Sequence, residues 1–157
     1  MNNNEILDRY IGLRQVVSST FSEHTQTMVT SALCFASREL EAFGALRYDS
    51  SPMLDHGAAV ARIVAEEIGL GRNSTIAAIV HDVVRIAVQD HPERLEELSA
   101  TIRNDYGEEV LGIALALSKI SDIKLKASKE QASDFRDMIV SYSEDPRVIL
   151  IKLADRL

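Results

Sequence analysis

The chain has 157 residues, 46% of them hydrophobic and 26% charged, with 17 basic against 24 acidic side chains and a formal net charge of −7. That length suits one domain able to bury about two thirds of its unfolded surface without a disulfide or zinc staple, and the balance excludes wholesale disorder. The acidic charge excludes broad electrostatic binding to nucleic acid, while seven glycines, three prolines and 5% aromatics argue for helices over a sandwich or barrel.

In chain order, Ile6, Tyr10, Leu13, Val16 and Val17 recur at helical spacing, which predicts a peripheral helix within residues 1–22. Ser22 offers an N-cap for a second helix through Met28, Ala32, Phe35, Ala36, Leu40 and Phe43, stopped by Gly44. Cys34 lies in this apolar run and reads as a small core residue. Arg47 to Pro52 is polar and ends in proline, a loop. Val60, Ile63, Val64 and Ile68 form one helix face ended by Gly69 and Gly71. Asn73 or Ser74 then caps a helix with Ile76, Ile79, Val80, Val83, Val84 and Val88, an apolar surround wide enough to predict burial in the middle of a bundle.

Pro92 suits the first turn of a new helix, with Leu95, Leu98 and Ile102 in a short one and Tyr106 to Ile120 in another. Ser121 to Glu130 reads as a polar connection to a helix with Phe135, Met138, Ile139 and Tyr142. Asp145 caps a last helix with Pro146 at its first position. The expectation is an all-α bundle of about seven or eight helices. Val148, Ile149, Leu150, Ile151, Leu153 and Leu157 are still apolar where the sequence stops, which predicts a domain from the N-terminal part of a longer protein.

No apolar stretch approaches the roughly 20 residues that span a bilayer, and MNNNEILDRY lacks the basic start and apolar core of a signal peptide. With a single cysteine, the expected compartment is the reducing cytoplasm.

His81 and Asp82 are polar neighbours inside the most apolar helix, where an imidazole and a carboxylate are costly unless each finds a partner or a metal. His56 opens the preceding helix and Asp155 lies inside the apolar terminal one. Two histidines with two aspartates form a nitrogen and oxygen set suited to Mn²⁺, Fe²⁺ or Zn²⁺. A hydrogen-bonded His–Asp pair beside unrelated polar residues is the alternative that spacing leaves open. His24 and His91 lie in polar surroundings and read as solvated.

These residues, in DHGAAVARIVAEEIGL, STIAAIVHDVV, YGEEVLGIALALSKI and EDPRVILIKLADRL, resemble the HD superfamily of metal-dependent phosphohydrolases. More narrowly, the chain from about Arg47 onward is similar to the hydrolase domain of the long RelA/SpoT homologues, which make and degrade the alarmone (p)ppGpp. The resemblance implies an HD-type helical bundle in which His56, His81, Asp82 and Asp155 hold one Mn²⁺, with Asp82 beside a metal-activated water that attacks the 3′-diphosphate and releases pyrophosphate. It implies that Arg47 stacks on the guanine base, against the alternative of a solvated loop arginine, and that a (p)ppGpp synthetase domain follows in the full protein.

Active members carry Glu-Asp directly after the HDVV run, where this chain has Arg85 and Ile86. One helical turn beyond His81 and Asp82, both face the same site. The family's Lys and Ser after the stacking arginine are Tyr48 and Asp49, and its proline after the first histidine is Gly57. Arg85 either binds a substrate phosphate in an altered active site or salt-bridges a carboxylate in a degenerate one that regulates the downstream synthetase. An HD phosphohydrolase acting on another nucleotide is the remaining alternative. Lys119, Lys124, Lys126, Lys152 and Arg156 could collect phosphates, though a solvated helix face is the ordinary state of such residues.

Overall fold

Phe21 ends one helix and Ser22 caps the next, its hydroxyl accepting the Thr25 N–H at 3.2 Å. The computed structural model describes residues 3–47, 51–126 and 145–156. Among them run eight α-helices and no strand: α1 (Asn3–Asp8), α2 (Ile11–Thr20), α3 (Glu23–Ala42), α4 (Met53–Arg62), α5 (Arg72–Asp90), α6 (Leu95–Tyr106), α7 (Glu108–Lys126) and α8 (Pro146–Arg156). A π-helical segment, Ile63–Ile68, prolongs α4, and a 3-10 turn, Pro92–Arg94, leads into α6.

α5 is the axis of the bundle, in contact with α3, α4, α6, α7 and α8. Every residue from Ser74 to Val84 is buried, which is why a helix this apolar is stable only when surrounded. Ile76, Ile79, Val80 and Val83 are at most 1% exposed, each side chain worth roughly 1.5–3 kcal/mol relative to exposure. α4 with its π extension and α8 pack on one side of α5, and they carry the remaining polar residues of the site.

Several boundaries depart from the sequence pattern for local reasons. Residues 1–22 hold two helices rather than one peripheral helix, broken near Tyr10, and Ile6, Leu13 and Val17 are buried in the core. α5 starts at Arg72 with Gly71 as N-cap and no side-chain cap; the Asn73 amide instead donates to Glu109 on α7. Tyr106 closes α6 rather than opening α7, because Gly107 adopts φ +103° and breaks the helix between them. Ser121 to Lys126 continue α7 as helix, while the expected helix with Phe135, Met138, Ile139 and Tyr142 lies outside the described residues. No helix among the described residues is long and apolar enough to cross a membrane.

Candidate functional site

Three helices bring His56, His81, Asp82 and Asp155 together. α8 delivers Asp155 to α4, where His56 Nε2 lies 2.6 Å from Asp155 Oδ1, across 99 residues of sequence. From α5, His81 Nε2 lies 3.8 Å from the same Asp155 oxygen and 3.4 Å from Asp82 Oδ1. His81 and Asp82 are 4% and 5% exposed, whereas the His56 side chain is about a quarter exposed, so the cluster opens to solvent on the α4 side.

The tautomer of His81 follows from its other nitrogen. Nδ1 sits 2.7 Å from the Ala78 carbonyl oxygen, which can only accept, so Nδ1 carries the proton. Nε2 is then the ring nitrogen that faces two carboxylate oxygens. A backbone carbonyl behind the ring is how proteins orient metal-binding histidines. The chemistry of the donor set, two imidazole nitrogens and two carboxylates, therefore fits a divalent ion.

The carboxylates nevertheless already have cationic partners. Arg85 Nε and its terminal NH2 group donate to Asp82 Oδ1 at 3.2 and 3.0 Å, and that NH2 also lies 3.3 Å from Met53 Sδ at the start of α4. Lys152 Nζ donates to Asp155 Oδ2 at 2.9 Å and is only 8% exposed. Burial by itself raises the Asp155 carboxyl; the His56 hydrogen bond, the charge of His81 and the bond to Lys152 outweigh it and hold the carboxyl well below the usual carboxylate range. In this paired arrangement no three His, Cys, Asp or Glu side chains among the described residues are set to hold a metal ion.

Arg85 thus faces the site as its helical phase predicts, and it salt-bridges Asp82. Ile86 is 7% exposed and joins the hydrophobic core. Arg47 is half-buried in the loop between the bridge partners Leu46 and Pro52, its N–H bonded to the Ser51 carbonyl; no contact of its side chain with the four residues is seen. Tyr48 and Asp49 lie outside the described residues, as do the side chains of Lys124 and Lys126. A cavity of about 200 Å³ lined by Arg9, Tyr10, Leu46, Pro52, Met53 and Leu54 adjoins both the Arg47 loop and the methionine that touches Arg85.

Sequence reasoning names Lys152 only as a phosphate-collecting or solvated lysine and gives Tyr10 no role in the site. Lys152 is buried against Asp155, and its place among Val148, Ile151 and Ala154, all buried, is the signal that marks it. Tyr10 donates its hydroxyl to Asp55, the neighbour of His56, at 3.0 Å; burial first, then the bond to Asp55, push that hydroxyl up to about 12. Of the histidines read as solvated, His91 instead stacks on Phe43, ring centroids 4.8 Å apart.

A family model described as the HD domain matches residues 32–157. The chain is 36% identical over 114 residues to the guanosine-3′,5′-bis(diphosphate) 3′-pyrophosphohydrolase of Haemophilus influenzae, covering 72% of this chain and 16% of that protein. It is 37% identical over 114 residues to the bifunctional (p)ppGpp synthase/hydrolase SpoT of Escherichia coli, covering 72% and 15%. A GTP pyrophosphokinase of Streptomyces coelicolor is 35% identical over 114 residues, covering 73% and 12%. The chain therefore spans about one sixth or less of the length of these relatives.

Proposed function

The chain belongs to the HD domain family, and from that premise we propose that its four-residue cluster is a metal-dependent (p)ppGpp 3′-pyrophosphohydrolase site in which Arg85 holds turnover low. The observation that carries this is the convergence of His56, His81, Asp82 and Asp155 from α4, α5 and α8. The reaction would add water to the 3′-diphosphate of ppGpp and release pyrophosphate and GDP. Hydrolases of this family depend on a divalent metal, and we take Mn²⁺ as the ion, a choice compatible with the nitrogen and oxygen donors. When bound, such an ion supplies positive charge for the diphosphate and lowers the pKa of water.

The chain's own residues have separable tasks. The Ala78 carbonyl fixes the His81 tautomer, and His56 and His81 face the shared Asp155 oxygen. Asp82 would orient the attacking water. Arg47 would meet the guanine base, a role that its planar guanidinium suits. The natural setting would be cytoplasmic, ahead of a synthetase domain in a longer protein.

A second reading is favoured by the Arg85–Asp82 pair: a fully degenerate HD domain that regulates the synthetase. One assay separates the two. Purified chain is incubated with ppGpp and Mn²⁺ and pyrophosphate is measured, alongside Arg85→Glu/Ile86→Asp and His81→Ala variants. The expected outcome is slow release by the unmodified chain, an increase of about 10²–10⁴ in the double variant, and none in His81→Ala. Release by the double variant alone would favour the regulatory reading, and release by neither would remove (p)ppGpp as the substrate.

A further inference from the structure

Arg85 and Lys152 are not equivalent occupants of the centre. Lys152 takes Asp155 Oδ2, leaving Oδ1 to face His56 and His81. Arg85 takes Asp82 Oδ1 with two N–H groups, and Oδ1 is the atom that His81 Nε2 faces at 3.4 Å. The lysine therefore neutralises its carboxylate from behind, while the guanidinium uses the lone pairs of the oxygen on the histidine side.

We propose that Arg85 is a built-in competitor for the divalent ion at Asp82, so that the centre has a closed state satisfied by its own guanidinium and a loaded state from which Arg85 has been displaced. The inference rests on the proposal that this cluster takes a metal, and it concerns the regulation of that site. Three observations carry it. The two aspartates and the two cations paired with them balance in charge without any ion. An oxygen accepting two N–H bonds from a cation is a poor ligand for a dication until that cation leaves. The guanidinium also has somewhere to go: the Arg85 side chain is 25% exposed, against 7% for Asp82, and its second contact is the weakly accepting sulfur of Met53.

The test is calorimetric titration of Mn²⁺ into chelator-treated chain, comparing the unmodified protein with Arg85→Gln and Arg85→Met, the latter keeping an unbranched stem against Met53. Circular dichroism establishes that each variant is folded. The expected result is Mn²⁺ binding at least about tenfold tighter in both variants, a change of about 1.4 kcal/mol. It should be accompanied by a larger Mn²⁺-induced rise in Tm than the unmodified chain shows. Arg85→Lys, which keeps the charge, should retain weak binding. Equal affinity in the unmodified chain and the folded Gln and Met variants would overturn the competition and leave the metal-site proposal standing. Absence of Mn²⁺ binding in every folded variant would overturn both.

Discussion

Asp155 holds together groups that would otherwise be stranded. Its carboxylate accepts from Lys152, which is 8% exposed, and meets His56 at 2.6 Å. Removing one partner of a buried ion pair costs more than the pair contributes, because the other charge stays desolvated. Asp155→Asn should therefore destabilise the chain by about 3 kcal/mol, and adding Lys152→Met should recover a substantial part, since no ammonium then needs a partner. Urea unfolding of both variants decides it; additive losses would show that the two residues are independent. At this scale the sequence carries much of the site. His81, Asp82 and Asp155 declare themselves as polar residues in apolar helices, and the structure brings them together with His56. Lys152 is hidden by its residue type, since lysines on helices are commonly solvated, and the pairing of Arg85 with Asp82 is set by geometry that spacing leaves open.

At the scale of elements, glycines act in opposite ways at two helix positions. Gly57 follows His56 inside α4, where an added Cβ would meet the Ile79 carbonyl oxygen at 3.6 Å and Leu54 Cδ1 at 3.8 Å, ordinary contacts. Gly57→Ala should stabilise the chain by up to about 1 kcal/mol through helix propensity alone. Gly107, at φ +103° and ψ 162°, separates α6 from α7 in a region that side chains resist. Gly107→Ala should cost about 1–3 kcal/mol, and thermal unfolding of the pair checks both signs. The same contrast explains what was legible among the elements. Periodicity identifies helices, and the caps at Ser22 and Asp145 follow from hydroxyl and carboxylate chemistry. The π extension of α4 and the start of α5 at Arg72 are set by packing against neighbours that one-dimensional spacing omits.

Across the whole molecule, α8 is tied down by a charged latch at the end opposite Asp155. Arg147 donates to Asp145 Oδ2 at 2.6 Å and to Glu109 at 2.5 Å, and Glu109 also accepts from Asn73, so α5, α7 and α8 meet there. The hydrogen bonds from Arg147 hold both carboxyls below their ordinary values. A depressed carboxylate contributes stability above its unfolded value of about 4 and loses it as pH falls through the folded one. Arg147→Gln should thus destabilise the chain at neutral pH by roughly 0.5–1 kcal/mol, the worth of a partly exposed network, and lower Tm accordingly. The difference should shrink as pH falls below about 4 and vanish only once pH has passed the depressed folded values. A gap that persisted there would mean that Arg147 acts through packing instead.

Both ion pairs of the centre are made within a single helix, Asp82 with Arg85 and Lys152 with Asp155, each three residues apart. This has a consequence for the order in which the protein assembles. The contact that closes the centre, His56 to Asp155, spans 99 residues, and such long-range contacts are entropically slow to form. When α8 arrives, it and α5 can each present a carboxylate whose charge is already balanced locally, so docking buries two neutral pairs rather than two bare anions. Helix α8 can therefore seat with no ion at the site, and if the centre takes the proposed metal, folding and loading would be separate events.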